Sequence, residues 1–488
     1  VESTLRCVSS ARTIQLSTVR AMSKLFLPDL LLTDGGVLRD AGLLTGSDGV
    51  VSTVMRADDV EAQRFSDMEV IRLKGKALLP GLANAHSHSF QRLFRGRAEG
   101  RAQGGDTFWT WREQMYRAAA FVSPEDVHDV ARATFLEMLT AGITVVVEFH
   151  DLHNDPAGHP YTDPNELAHQ VIRAAESVGI RICLLRTAYA RAGFRKAPHP
   201  GQRRFYESVD AYLGNLEALL SSATDKACVS VGAAPHSIRA VALAELERIA
   251  GFATTHSLPL HMHISEQPAE NEACLAEYRK TPVQLVDEHG VLTKRTTLVH
   301  AIHLSSEEFD KVRLAGSTLC SCPTTERNLG DGIFPADMAA RLGIPVAFGS
   351  DSQAQINILE DARQNEYHLR LRDRERGILD TFGDPEIAAR LFNSASAAGY
   401  RALSIDAGCL APGQPADFFT IDLNDLSILG TDEESLKAQA VFALERSAVR
   451  DVAVSGRLVL TDGHHALEDE IRVRYLEVQR RFVQQEAL

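Results

Sequence analysis

Eight short runs of apolar, largely β-branched residues recur through the middle of the chain, each followed by a helical stretch. They read GLANAHSH (81–88), TVVVEF (144–149), RICLLRT (181–187), VSVGAA (229–234), PLHMHI (259–264), TTLVHA (296–301), STLCS (317–321) and IPVAFGSD (344–351). Strands buried on both faces of a parallel sheet look like this, because helices cover them above and below. Eight such units, separated by helices such as SPEDVHDVARATFLEMLTAG and DPNELAHQVIRAAESVG, predict an α/β fold, a (β/α)8 TIM-like barrel over residues 81–399. An open doubly wound sheet is the competing arrangement. No GxGxxG follows the first strand to support it.

A different texture flanks the barrel. LPDLLLTDGG, GLLTGSDGVV and VIRLKGKALL precede it, and PADFFTIDL (415–423) and DVAVSGRLVLTDG (451–463) follow it, with Val452, Val454, Leu458 and Leu460 at strand spacing. These segments predict one small, discontinuous β-sandwich domain made from 24–80 plus 400–465, with a C-terminal helix over 466–488. Residues 1–23 are rich in Ser, Thr and Arg, a composition shared with mitochondrial transit peptides. Met22, just before the first apolar segment, favours reading them as a disordered upstream extension, a leader outside the fold.

Composition then narrows the function. Of 488 residues, 44% are apolar and 24% charged, which is globular, and the formal charge of −14 disfavours binding to nucleic acid or to an anionic membrane surface. An anionic substrate would therefore have to be held by a few cations converging locally. The seven cysteines are odd in number and scattered without a CxxC pair, as expected of reduced thiols in the cytoplasm. Cys320 and Cys322 form a CxC that lacks zinc-site spacing around it.

Residues i and i+2 of a strand share a face, so His86 and His88 in HSH can aim at one point at the end of the first barrel strand. His263 in HMHISE, His300 in LVHAIH and Asp351 in FGSDS sit at later strand ends, where barrel enzymes assemble their sites. His86, His88, His263 and Asp351 form the expected ligand set for one divalent metal ion, Zn2+ before Fe2+ or Mn2+. Such an ion lowers the pKa of bound water towards about 7 and supplies a hydroxide nucleophile. Glu266, three residues after His263, is placed to shuttle a proton from that water to a leaving group. His300 is open to reading as a ligand, a core histidine or a polarising group, and with four ligands assigned the last is preferred. The fourth strand ends in PHSIR without a lysine, which argues against a carbamylated lysine bridging a second metal.

LLPGLANAHSHSFQR, HMHISE, VHAIH and GSDS, with the closing VAVSGRLVLTDG, resemble the amidohydrolase superfamily in its mononuclear deaminase branch. HSHSFQRLFRG, DTFWTWREQMYR, EFHDLHNDP, PHSIRAV and NLGDGIFP are more specific, and resemble the N-formimino-L-glutamate deiminases of histidine degradation. Both tryptophans, Trp109 and Trp111, fall in these stretches. The resemblance implies hydrolysis of the formimino C=N bond to give N-formyl-L-glutamate and ammonia, in a cytoplasmic homodimer. It implies substrate contacts at Gln91, Arg112, His236 and Arg239, and catalytic roles for Glu266, Asp351 and His300, the last steadying the tetrahedral centre. Two guanidinium groups suit a dicarboxylate amidine, since their forks make charge-assisted bidentate bonds.

One position departs from the pattern: Asp151 stands in EFHDLHNDP where the family is expected to carry a substrate-binding tyrosine. A carboxylate there would repel the substrate, unless the loop is displaced or a donor such as Tyr116 or Tyr189 takes its place. The competing readings are a deaminase of an aromatic amidine, such as a nucleobase or triazine, and a non-catalytic scaffold. The intact ligand set and Glu266 speak against the scaffold.

Overall fold

The computed structural model describes residues 22–56, 58–59, 68–99, 108–380 and 386–486. Residues 1–21 of the expected leader, and the side chain of Trp109, lie outside the described residues. Ser23, assigned above to the leader, already opens the first strand.

The chain begins with β1 (Ser23–Thr33), β2 (Gly36–Arg39), β3 (Gly42–Thr45), β4 (Val51–Met55) and β5 (Met68–Pro80). The barrel strands follow: β6 (Leu82–Ser87), β7 (Ile143–His150), β8 (Arg181–Ala188), β9 (Val229–Pro235), β10 (Leu260–Ile264), β11 (Thr296–His300), β12 (Thr318–Ser321) and β13 (Val346–Phe348). These are the eight predicted runs, and they pair in parallel in sequence order from β6 to β13. Every residue of β7 and β8 is buried, as two covered faces require. The helices between them start and stop on local chemistry. Ser123 caps helix Pro124–Leu139 by accepting the Asp126 N–H at 3.2 Å, and Gly179, in the left-handed conformation at φ 81°, closes helix Glu166–Val178.

The two ends of the barrel sheet meet through one parallel bridge between Ser87 and Asp351. The His88 N–H donates to the Asp351 carbonyl and the Asp351 N–H to the His86 carbonyl, both at 3.0 Å. Gly349 makes this approach possible, because a Cβ there would stand 2.7 Å from the His86 Cβ. The opposite end of the barrel is filled by Tyr400, Leu403 and Ala407, packed against Ala83, Val145 and Val147.

The late strands β14 (Phe418–Asp422), β15 (Val449–Val454) and β16 (Arg457–Leu460) join the early ones in a separate, mostly antiparallel eight-stranded sheet. Its order is β16-β15-β14-β5-β1-β3-β4, with β2 on the free part of β1, so both chain regions contribute to one sheet. Its hydrophobic core includes Phe26, Leu43, Leu73 and Phe418. A buried ion pair fastens the sheet to the barrel. Arg181 of β8 donates to Asp417 from Nε at 2.9 Å and from Nη2 at 3.1 Å, while the Tyr400 hydroxyl adds a third bond to that carboxylate at 2.6 Å. Helix Glu468–Glu486 then returns to the barrel, where Arg132 meets Glu470 at 2.9 Å and Phe482 packs on Phe121.

Removing one partner of a buried, hydrogen-bonded pair leaves an uncompensated charge. Asp417→Ala is expected to lower the unfolding free energy by about 3–5 kcal/mol, read as a shift of the chemical-denaturation midpoint. A shift equal to that of an exposed pair would show that this contact does not hold the sheet on the barrel.

Candidate active site

The predicted metal-ligand residues converge at the barrel's C-terminal mouth. One ligand atom from each of His86, His88, His263 and Asp351 lies within 4.8 Å of all the others, and all four residues are buried. His86 Nε2 is 3.1 Å from His263 Nε2 and 3.4 Å from Asp351 Oδ1, and His88 Nε2 is 3.5 Å from that same oxygen. Several strand ends reach this geometry through left-handed backbone at non-glycine residues: Ser265 (φ 49°), His300 (φ 69°), Ala301 (φ 51°) and Asp351 (φ 46°). Such conformations are sparsely populated and concentrate where a site dictates side-chain direction.

The hydrogen bonds behind the cluster determine which ring nitrogens face inward. His263 Nδ1 lies 3.1 Å from the His236 carbonyl and His88 Nδ1 lies 2.8 Å from Asp151 Oδ2, so both rings carry their proton on Nδ1 and turn Nε2 to the centre. Burial holds His86 down at about 3 and His263 well below the usual imidazole range, so both are neutral. At His88 burial is opposed by the Asp151 carboxylate, which lifts the ring to about 9, so a cation bound there displaces a proton from Nε2. Once His88 gives up its Nε2 proton, three imidazole nitrogens and a carboxylate oxygen converge on one point, each with a lone pair to offer. The donor set therefore fits a divalent ion that accepts nitrogen and oxygen.

Asp151 thus has a different place from the one its charge suggested. Its carboxylate is only 5% exposed and serves His88, although the residue remains part of the cavity wall. Glu148 of β7 holds the loop that carries HSHS. It accepts the Ser87 hydroxyl at 2.7 Å, the Ser89 N–H at 2.7 Å and the Ser89 hydroxyl at 2.5 Å, while burial pushes its own pKa up to about 7. Its signal in the sequence was a carboxylate inside the apolar run TVVVEF.

His300 stands beside the four without joining them. Its Nε2 is 3.7 Å from Asp351 Oδ2 and 3.9 Å from Glu266 Oε1, and its Nδ1 is 3.4 Å from Glu326 Oε1. Burial would neutralise it, but Glu266, Glu326 and Asp351 together raise it well above the usual range, making it a cationic donor. Glu326 and Cys322 also lie near it as a possible metal group. Glu326, however, already accepts the Cys322 N–H at 2.7 Å and the Ser321 hydroxyl, and burial keeps the Cys322 thiol protonated.

Above the cluster opens a cavity at the barrel mouth. Its wall contains Glu266, His300 and the predicted substrate contacts Gln91, Arg112, His236 and Arg239, together with Trp111, Tyr116 and Tyr189. Arg112 donates from Nε to the Tyr116 hydroxyl at 2.6 Å and from Nη2 to the Tyr189 hydroxyl at 3.0 Å. Gln202, which no motif announced, donates to the same two hydroxyls at 3.1 and 3.0 Å. Arg239 faces Glu266 and Glu270, whose fields raise its pKa against the effect of burial.

A partner that orients a ligating histidine is worth about 10–100-fold in metal affinity. Asp151→Asn is expected to lose about that factor, measured by competition with a chromophoric chelator at a pH above the His88 titration, where proton release no longer offsets the change. Affinity equal to that of the unaltered protein would remove Asp151 from the support of the site.

Similarity to known proteins agrees with this arrangement. Residues 77–459 match the Amidohydrolase family. A formimidoylglutamate deiminase of Pseudomonas aeruginosa is 38% identical over 460 residues, spanning 94% of this chain and 99% of its own. An 8-oxoguanine deaminase of the same organism is 29% identical over 447 residues, 89% of this chain and 93% of that protein. The crystal structure of an amidohydrolase from Brucella melitensis superposes with a TM-score of 0.86 at 33% identity, covering 94% of this chain and 100% of that one. The barrel, the buried histidine–aspartate cluster at its mouth and these similarities together make the chain a member of the Amidohydrolase family.

Proposed function

We propose that the protein is a zinc-dependent deiminase that converts N-formimino-L-glutamate and water to N-formyl-L-glutamate and ammonia. The observation that carries the reading is the presence of Arg112 and Arg239 in the same small cavity as the metal-ligating cluster and Glu266. A dicarboxylate needs local positive charge in a chain of net charge −14, and a neutral nucleobase does not. The 38% identity to a formimidoylglutamate deiminase supports the same substrate.

A zinc ion held by His86, His88, His263 and Asp351 supplies Lewis acidity and brings the pKa of a water at the site towards about 7. Glu266 accepts a proton from the attacking water and delivers it to the formimino nitrogen, giving a tetrahedral carbon that bears OH and NH2. Asp351 assists removal of the remaining hydroxyl proton, which Glu266 passes to the same nitrogen as the carbonyl re-forms and the C–N bond breaks to release ammonia. His300, fixed from behind by Glu326, directs its Nε2–H at the same space and stabilises charge developing on the oxygen. Gln91, His236 and Arg239 hold the substrate so that its formimino carbon faces the water. The six cysteines among the described residues are all unpaired, in keeping with work in the reducing cytoplasm.

Zinc-loaded protein should release ammonia from N-formimino-L-glutamate and leave guanine and cytosine untouched. Turnover of guanine instead would move the substrate to aromatic amidines, and no turnover with no bound metal would favour the scaffold. Chelation should abolish ammonia release and added zinc restore it. Glu266→Gln should lower kcat by about 100- to 10,000-fold, a loss that steady-state ammonia assays resolve. Arg239→Met should reduce kcat/KM by about 10- to 100-fold through a lost charge-assisted contact; kinetics matching the unaltered enzyme would remove that anchor.

A further inference from the structure

We infer that Gln353 is a positioning residue of the metal centre. Its carboxamide locks the backbone of Asp351 to the segment that carries His86 and His88, and so fixes how the carboxylate and the two rings face one another. No sequence motif marks it. The inference rests on reading the histidine–aspartate cluster as a metal site and is independent of the substrate.

The need for such a lock comes from the backbone. β13 has only three residues, Val346–Phe348, and the barrel closes onto β6 through the single bridge between Ser87 and Asp351. By contrast, β7 and β8 are registered through six successive residue pairs, from Val145 with Arg181 to His150 with Arg186. At the closing seam the ladder is too short to hold a register by itself, and a slip of one residue would turn the ligating side chains to the other face.

Side chains take over that task. Gln353 follows Asp351 by two residues, in left-handed backbone at φ 63°, and is fully buried. Its Nε2 donates to the Asp351 carbonyl at 2.8 Å and to the Ser87 hydroxyl at 2.9 Å, while its Oε1 accepts the Ser350 hydroxyl at 2.9 Å. A carbonyl only accepts, so the amide has one orientation. With the His88 N–H at 3.0 Å, the Asp351 carbonyl receives two donors, one from each side of the seam. The network continues at both ends. Asn84 of β6 donates to the Ser350 hydroxyl at 2.7 Å and accepts the Ser350 N–H at 3.0 Å, and the Ser87 hydroxyl donates to Glu148 of β7 at 2.7 Å.

These side-chain bonds run in one direction, from Asn84 through Ser350 to Gln353, and from Gln353 through Ser87 to Glu148. Each hydroxyl accepts one bond and donates one, so polarisation along the chain adds. Asn84, Ser87, Ser350 and Gln353 have no exposure to solvent, and water cannot replace a bond that is removed. The network also encloses the ligands of the seam: Asn84 and Ser87 lie on either side of His86, and Ser350 and Gln353 on either side of Asp351. From outside, Arg95 donates its Nε to the Gln353 carbonyl while its Nη1 meets Glu137 at 2.9 Å, which ties the lock to helix Pro124–Leu139.

Gln353→Met keeps the length of the side chain and removes its hydrogen bonds. It should lower zinc affinity by about 10- to 100-fold, measured by competition with a chelator. It should also shift the visible absorption bands of the cobalt(II)-substituted protein, which report ligand geometry. Ser350→Ala is a smaller change that keeps the Ser350 N–H on Asn84. It should move both readouts the same way, with an affinity loss of roughly 3- to 10-fold. The double variant should lose no more affinity than Gln353→Met alone, because the Ser350 hydroxyl acts through the amide. Asp417→Ala, whose bonds lie at the opposite end of the barrel, supplies the comparison. A merely structural role predicts that the Gln353 and Ser350 variants resemble it: a lower melting temperature of the metal-free protein, with zinc affinity within twofold of the unaltered protein and the same cobalt spectrum. That result overturns the inference. If Gln353→Met yields no folded protein, Ser350→Ala decides by the same criterion. No zinc binding by the unaltered protein removes the metal reading itself, whereas zinc binding indifferent to both variants removes only the role of Gln353.

Discussion

Closing the barrel and assembling the candidate metal centre are the same event. The last strand meets the first through a single bridge, and the residue that forms it on one side, Asp351, is also the carboxylate of the cluster. Its backbone holds His86 and His88 by their peptide groups at 3.0 Å, while its side chain faces their rings at 3.4 and 3.5 Å. A displacement of this seam moves three of the four ligating side chains together. The left-handed backbone of Asp351 and the glycine at 349 are the local cost of bringing the two strands that close.

Around that seam the buried charges are arranged as pairs with opposite tasks. Asp151 and the His236 carbonyl sit behind imidazoles and decide which nitrogen faces the centre, and Glu326 does the same for His300. Glu148 has no ring to orient and instead grips the loop that carries two of the histidines. The acidic residues packed around the centre are therefore distributed among separate supports, and Glu266 lines the cavity 3.9 Å from His300 Nε2.

Much of this was legible in the sequence because it depends on periodicity. The eight apolar runs became the eight barrel strands, and the i, i+2 spacing of His86 and His88 placed both rings on one side. Asp351 and His263 were visible as polar residues at strand ends. What escaped depends on contacts between segments far apart in the chain. Asp151 read as a repulsive charge, since nothing in EFHDLHNDP says that the neighbouring loop presents a ring nitrogen to it. Gln202 lies in an irregular stretch between Ala188 and Ser208, where no repeat constrains direction, and its meeting with Tyr116 arises only from how that stretch folds back on helix Phe108–Phe121.

The sheet shared by both chain regions has a consequence for the order of synthesis. β5 finds its neighbour β14 only after the whole barrel sequence has been translated, since Pro80 pairs with Phe418 and Lys76 with Asp422. Until then the nascent chain carries β5 with an unsatisfied edge beside a barrel whose Arg181 still lacks Asp417. The sheet can therefore be completed only when the trailing strands are available, and until then the open edge of β5 is a site for wrong pairing.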